Sequence, residues 1–336
     1  MINKRRVTLE QIAAQLNISQ NTISLVLRGR PGVSEATRTM VFNAAEELGY
    51  KPRKNQRSKK SKKNICIVTP YAGGSSTYYF SRYQLDIETS LRSAGCTVFT
   101  VNNAATDGTL AMLQNMCVLQ EIKGLVIASD IGQTLIEQLQ EMNIPMICAG
   151  FYHPSLNLDC VAEDDVSGMM LAVKELKKRH YRKFGFLGGI EDSSFFSRFM
   201  ALQASLYKEG LDLISGAVFT QYSQDILCDP ERLTEIIQRA AEMPEIFFCC
   251  NDKIAMTTIH ALNRLGFRVP DDIGILGFDN TDFARISIPT LATIDNFPAL
   301  QAEAITRRIT ERIEDPSMPA LRILTRVEFV PGNSIR

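Results

Sequence analysis

The chain has 336 residues, more than a single core usually carries, so two or three domains are expected. With 45% hydrophobic and 22% charged residues it has the composition of a globular protein in water, and no apolar run approaches the roughly 18 residues of a membrane span. The 37 Lys+Arg balance 37 Asp+Glu, but the signs are separated: residues 1–64 hold 14 basic against 4 acidic side chains, and the remainder 23 against 33. A basic segment on an acidic body is what polyanion binding requires, because each neutralised phosphate releases condensed counterions.

The basic start, Met1 to Val7, runs into a mixed polar and apolar pattern rather than the continuous apolar stretch of a secretory signal, so the cytoplasm is the expected location. The eight cysteines (66, 96, 117, 148, 160, 228, 249 and 250) lie beyond this segment, without C-x-x-C spacing or a histidine at metal-ligand spacing. Reduced buried thiols, with no metal or other cofactor, are expected.

Thr8-Leu9-Glu10-Gln11 reads as a capping box, and Leu9, Ile12, Ala13 and Leu16 follow on one face of a helix. Asn17-Ile18 interrupts the pattern before Ser19, a second N-cap. The next helix turns Ile23, Val26 and Leu27 inward and leaves Gln20, Asn21, Thr22, Ser24, Leu25 and Arg28 on or near the outer side. A third helix starts at Ser34, carries Val41, Ala44, Ala45 and Leu48 inward and stops at Gly49. Three helices of this kind can dock the second one in a DNA major groove. The amides of Gln20 and Asn21 then offer donors and acceptors to base edges, while Ser19, Thr22 and Arg28 suit phosphates. Thr8 and Ser24 complete the candidate DNA contacts of this unit.

Residues 8–52, from Thr-Leu-Glu-Gln-Ile-Ala-Ala-Gln-Leu-Asn-Ile-Ser through Val-Ser-Glu-Ala-Thr-Arg to Glu-Leu-Gly-Tyr-Lys-Pro, closely resemble the headpiece of the lactose-repressor (LacI/GalR) family. The resemblance implies that Gln20, Asn21 and Leu25 read the operator; Leu25 cannot hydrogen-bond and would meet a thymine methyl or nothing. Residues 53–64 contain no apolar side chain and by themselves should be disordered. The resemblance implies a hinge helix there on operator binding, with a leucine wedged into the minor groove. Lys59 occupies that position, so the strong central kink is in doubt, and Arg57 and Lys59 entering a narrow minor groove by charge are the substitute.

From Ile65 short apolar runs alternate with helical patterns: Ile65–Thr69, Thr97–Val101, Gly124–Ala128, Pro145–Ala149, Phe184–Gly188, Glu245–Cys250 and Ile273–Gly277 read as buried strands. Gly95, Gly210 and Gly266 stand where helices should end, and the β-α-β alternation implies two parallel sheets. Ligands of such sheets bind beyond the carboxyl ends of the strands, where Asn251-Asp252 and Asp279-Asn280 fall.

The stretch Cys249-Cys250-Asn251-Asp252-Lys253-Ile254-Ala255-Met256, with Gly266-Phe267-Arg268-Val269-Pro270-Asp271-Asp272-Ile273-Gly274-Ile275-Leu276-Gly277-Phe278-Asp279-Asn280, makes residues 65–336 similar to the effector domain of the same family. The implied architecture is an all-α helix-turn-helix headpiece (1–52), a basic hinge linker (53–64) and a two-lobed α/β effector domain like the periplasmic binding proteins. Its N-terminal lobe would span 65–161 and 292–320, and its C-terminal lobe 162–291 and 321–336. The resemblance implies that Tyr79 and Phe80 stack on an effector, Arg198 and Asp279 clamp its polar groups, and Asn251 or Asp252 lines the second lobe; Ser194 and Tyr222 are further candidates. Asp252 reads equally well as the N-cap of the following helix. Arg198 lies in an apolar helix, where an unpaired guanidinium is costly, so a partner such as Asp279 is expected.

A doubly wound enzyme is the main rival, and the chain lacks G-x-G-x-x-G after the first strand, lacks G-x-x-x-x-G-K-[ST], and spreads its three histidines without ligand spacing. A solute receptor would need export and no basic head. The expectation is a non-enzymatic, ligand-responsive regulator that binds double-stranded operator DNA and no membrane. A homodimer is expected, since one headpiece covers half a site and no leucine heptad follows the effector domain. A sugar or sugar phosphate is the expected effector; a nucleobase or other metabolite is the alternative.

Overall fold

The computed structural model describes residues 7–27, 33–48, 50, 63–70, 77–103, 108–153 and 155–336. Contacts divide the chain into two units, 1–61 and 62–336.

In the first unit α1 (Leu9–Leu16) opens on the capping box: Thr8 N donates to Gln11 Oε1 at 2.9 Å and Gln11 N to Thr8 Oγ1 at 3.4 Å. Asn17 ends it in the left-handed region (φ 53), which lets the chain turn at once into α2 (Gln20–Leu27), capped by Ser19 Oγ accepting from Thr22 N at 3.0 Å. Ser34 caps α3 (Glu35–Glu47) in the same way. Ile12, Ala13, Ile23, Val26, Val41, Ala44 and Ala45 form the core, with Leu16 and Leu48 packed against it. Leu27's side chain, Gly49, Arg28 and the linker residues Arg57 and Lys59 lie outside the described residues.

The second unit holds two parallel sheets. The first lobe builds β1 (Asn64–Pro70), α4 (Thr77–Ser93), β2 (Thr97–Asn103), α5 (Thr109–Leu119), β3 (Gly124–Ile127), α6 (Gln133–Gln140), β4 (Met146–Ala149) and β5 (Asp159–Glu163). The second lobe builds α7 (Asp165–Lys178), β6 (Lys183–Leu187), α8 (Ser193–Glu209), β7 (Asp212–Phe219), α9 (Gln224–Leu227), α10 (Pro230–Gln238), β8 (Ile246–Cys249), α11 (Asp252–Arg264), β9 (Gly274–Leu276) and α12 (Asp282–Ile286). The chain returns through β10 (Thr293–Asp295), α13 (Pro298–Glu314), β11 (Arg322–Thr325) and β12 (Glu328–Val330).

The first sheet has the order β11-β5-β4-β3-β1-β2 and the second β7-β6-β8-β9, all parallel, while β10 and β12 pair antiparallel. All seven expected strands are present. Gly95, Gly210 and Gly266 adopt positive φ (85, 66 and 86) just past α4, α8 and α11, a conformation that a Cβ disfavours.

In the first lobe α4 and α13 cover one face of the sheet around Ile65, Ile67, Val126 and Ile147, and the other face packs Cys66, Val68, Leu125 and Ile127 on α5 and α6. Aromatic side chains dominate the second lobe, where Phe184, Phe186, Phe247 and Phe248 are fully buried. The chain was expected to leave the first lobe at residue 320. Instead β11 extends that sheet beside β5 through Thr325, because the backbone pairing of Arg322–Thr325 with Cys160–Glu163 completes an otherwise open edge. Residues 331–336 then join the second lobe, with Ile275 N donating to the Ser334 carbonyl at 2.8 Å. Among the described residues no helix is long and apolar enough to cross a membrane.

Candidate functional site

The helix-turn-helix unit presents Gln20 and Asn21 exposed at the first turn of α2, with Thr22, Ser24 and Leu25 partly exposed on the following turn. Ser19 and Thr22 hydroxyls lie 2.8 Å apart, so both are engaged in the cap itself. Thr8 accepts through its hydroxyl oxygen in the capping box, which fixes the start of α1.

In the effector unit a cavity of about 490 Å³ lies between the lobes at the carboxyl ends of β3, β4, β5, β8 and β9. Tyr79, Phe80 and Tyr83 project from the first two turns of α4, Asp130 and Phe151 follow β3 and β4, and Glu163 ends β5. From the second lobe come Ser194 and Arg198 on α8, Asn251 at the start of α11, and Asp279 after β9. Six of the eight expected effector residues therefore meet there: Tyr79, Phe80, Ser194, Arg198, Asn251 and Asp279. Tyr222 does not line the cavity; it is half-buried against the core of the second lobe. Asp252 is absent from the wall for a different reason. It is buried, and its carboxylate accepts from Thr281 N at 2.7 Å, Thr281 Oγ1 at 3.0 Å and Thr293 Oγ1 at 2.6 Å. It therefore ties the loop after β9 and the crossing strand β10 to α11. Nor is it the helix cap: Asn251 Oδ1 accepts from Ile254 N at 2.8 Å. A Cβ at position 277 would come within 2.4 Å of Asp252 Oδ1, so only glycine leaves that carboxylate its place.

Arg198 is the centre of the site and is 4% exposed. Its Nη2 donates to Glu163 Oε1 at 2.6 Å, its Nε to Asp165 Oδ1 at 3.2 Å and its Nη1 to the Cys250 carbonyl at 2.5 Å. Asp279, the expected partner, is at 3.8 Å. Phe278 covers the guanidinium, with its ring centroid 3.6 Å from Cζ. Burial by itself would push this guanidinium down, but Asp165, Glu163 and Asp279 hold it well above its ordinary range. The acids show the reverse balance. Burial pushes Asp279 well up against the pull of Arg198, and raises Asp165 to about 7.

A second chain of bonds links the lobes. Asn296, on the segment after β10, donates from Nδ2 to Tyr79 Oη at 2.9 Å and to Asp279 Oδ1 at 3.2 Å. Gln301 donates to the Asn296 carbonyl at 3.0 Å and accepts from Tyr83 Oη at 3.0 Å. Tyr79 stacks on Tyr83 with centroids 5.9 Å apart. Burial raises the Tyr79 hydroxyl well above its usual range, and the Asp279 and Glu163 charges add to the effect. Asp279 has φ 109, a strained backbone for a side-chain-bearing residue, held by its N–H bonding the Ile294 carbonyl at 2.8 Å.

Sequence reasoning missed Glu163, Asp165 and Asn296. Glu163-Asp164-Asp165 stands where the first lobe hands over to the second, and this acidic run at the start of a helical pattern was the available signal. Asn296 carried none, since it reaches the site only through the return of the chain.

A three-helix DNA-binding unit joined to a two-lobed domain with a polar interlobe cleft defines a ligand-responsive transcription regulator. The comparisons agree. Residues 8–53 match the family described as bacterial regulatory proteins, lacI family, and residues 173–335 match the periplasmic binding protein-like domain. The chain thus carries a lacI-family DNA-binding domain followed by a periplasmic-binding-protein-like domain. The HTH-type transcriptional repressor PurR of Aliivibrio salmonicida is 27% identical over 319 residues, 92% of each chain. Two solved structures, each 20% identical, share the fold: the CelR–cellobiose complex (TM-score 0.70, 98% and 100% of the two chains) and the lac repressor dimer bound to operator and the anti-inducer ONPF (TM-score 0.67, 98% and 99%).

Proposed function

We propose that this protein is a cytoplasmic repressor that binds a two-fold operator as a homodimer, and that an effector in the interlobe cavity, most readily a carbohydrate, shifts its operator affinity. Gln20 and Asn21 would read base edges and Leu25 a thymine methyl. Ser19, Thr22, Ser24 and Arg28 would position the backbone, and Arg57 and Lys59 would enter the minor groove. One headpiece covers half a site, so a two-fold pair of subunits is the arrangement that reads an operator. The lac repressor in the operator complex is itself a dimer.

The observation that carries this reading is a cavity whose polar wall is drawn from both lobes and from the crossing segments. Arg198, Asp279 and Asn251 come from the second lobe, and Tyr79, Phe80 and Glu163 from the first. A ligand that touches both lobes binds one lobe arrangement better than another, and this difference in affinity is all that an allosteric shift requires. CelR holds cellobiose, and aromatic faces beside carboxylates suit the C–H faces and hydroxyls of a sugar. A nucleobase is the second reading, favoured by the flat aromatic walls of Tyr79, Phe80 and Phe151.

Selection of bound duplexes from a random pool by the full-length protein, with and without a sugar and nucleoside panel, tests the proposal. Enrichment of a palindromic site whose retention changes with one panel member is the expected result. No enrichment over competitor DNA under any condition would overturn it.

A further inference from the structure

Among the described residues, the wall of the interlobe cavity carries more acid than base. Asp130, Glu163, Asp192 and Asp279 line it against Arg198 and Lys253, and Asp165 stands behind Arg198 at 3.2 Å. Lys253 is exposed, so water and salt screen it. The one buried cation is already committed, with Glu163, Asp165 and the Cys250 carbonyl around its edge and the Phe278 ring on its face. An incoming phosphate or carboxylate would have to displace Glu163 or Asp165 from Arg198 and then remain beside them. Beside the buried Glu163 side chain an added negative charge is repelled more strongly than it would be in open solvent.

The same wall suits a ligand rich in hydroxyl groups. An ionised carboxylate on this wall accepts from a ligand hydroxyl, and one that burial holds protonated, as it favours at Asp279, donates to it, so a hydroxyl satisfies either form. Ser129 belongs to the cavity wall, and its Oγ, buried just behind the surface, has no hydrogen-bond partner among the described residues. A buried hydroxyl of this kind is costly until something bonds it, and a ligand hydroxyl can both donate to it and accept from it.

We infer that the cleft takes an uncharged, polyhydroxylated molecule and rejects the same molecule once it is phosphorylated or oxidised to an acid. This rests on the reading of the cleft as the effector site, and it narrows the expected sugar or sugar phosphate to the sugar.

The test uses the full-length protein at near-neutral pH and constant ionic strength, with binding measured by calorimetry for matched pairs: glucose and glucose 6-phosphate, ribose and ribose 5-phosphate, cellobiose and cellobionate, galactose and galacturonate. For every pair that binds, the neutral member binds at least about tenfold tighter, a difference of about 1.4 kcal/mol. The methyl ester of galacturonate, larger than galactose yet uncharged, binds like galactose wherever that pair responds. An acid or phosphate that binds as tightly as its neutral partner overturns the inference and leaves the effector site in place. Rejection of the ester together with the acid also overturns it, since size would then be deciding. Silence across the whole panel removes the carbohydrate reading and the inference with it.

Discussion

Glu163 Oε1 and Arg198 Nη2 lie 2.6 Å apart, both side chains buried, at the point where the chain first passes from one lobe to the other. Glu163 ends the fifth strand of the first lobe and Arg198 sits in the second helix of the other, so this ion pair holds the two halves of the cleft at their common edge. Buried pairs are worth little net stability against an apolar replacement, but breaking one leaves an uncompensated charge.

Removing the cation should therefore be costly. Arg198→Met leaves Glu163, Asp165 and Asp279 facing one another without a counter-charge, and a loss of about 3–5 kcal/mol is expected, read by urea unfolding near pH 8. The loss should shrink at lower pH, where the acids can take up protons. Arg198→Lys should fall between, because one ammonium cannot serve both carboxylates and the Cys250 carbonyl with the geometry of a guanidinium. A methionine variant as stable as the parent would show the cluster to be open to water.

The raised acids set the pH dependence. Burial lifts Asp165 and Asp252 to about 7 from an ordinary 3.8. Between roughly those two values the folded protein binds more protons than the unfolded chain, so stability falls as pH rises across the window. Urea midpoints should decrease from pH 5 toward pH 7.5, and Asp252→Asn should flatten part of that slope. A midpoint that rises with pH over this range would contradict the assignment.

Asp159 behaves in the opposite sense and at lower pH. Its carboxylate accepts from Arg308 Nε and Arg312 Nε, each at 2.8 Å, and from Leu321 N at 2.8 Å. Burial pushes it up, but these bonds outweigh burial and hold it below its usual value. The stability it contributes is present above the unfolded pKa and is lost as pH falls below about 4. Asp159→Ala leaves the buried Arg308 with only the more distant Glu311 carboxylate, at 3.6 Å, and should cost about 3 kcal/mol, seen as an early loss of effector-domain structure in thermal scans.

Thr8→Ala removes one half of the capping box and should destabilise the headpiece by about 1 kcal/mol. Hydrogen exchange in the first helix would report it, with the effector unit unaffected.

On the outer face of the second helix, Gln20→Ala with Asn21→Ala should relax base preference while leaving the salt-dependent affinity for random duplex largely intact. Equal loss on every duplex, measured by fluorescence anisotropy across a salt series, would mean that another face meets the bases.

The headpiece was legible because its signals are local. Caps, helical spacing and the break at Asn17-Ile18 each act within a few residues, and Ile12, Ile23 and Val41 are buried as that spacing requires. The seven apolar strands were legible for the same reason. Strand Asp159–Glu163 was not, because its ends are charged and only the arginines of a distant helix and the cleft cation make those charges tolerable there. Strand Asp212–Phe219 lies at a sheet edge, half exposed and interrupted by Gly216, so its pattern is weak.

Sequence alone thus determined the division into a basic DNA-binding head and an acidic sensing body, the alternation of strands and helices, and the placing of Asn251 and Asp279 beyond strand ends. Tertiary structure alone decided what those groups do: that Asn251 caps a helix while lining the cleft, that Asp252 is a buried tie, and that Arg198 is shared among acids brought from two separate stretches of chain. The physical reason is range. Caps and periodicity follow from neighbours along the backbone, whereas the state of a buried charge depends on which other charges folding brings within a few ångströms, and residues 163, 198, 279 and 296 meet only after the chain has crossed between the lobes and returned.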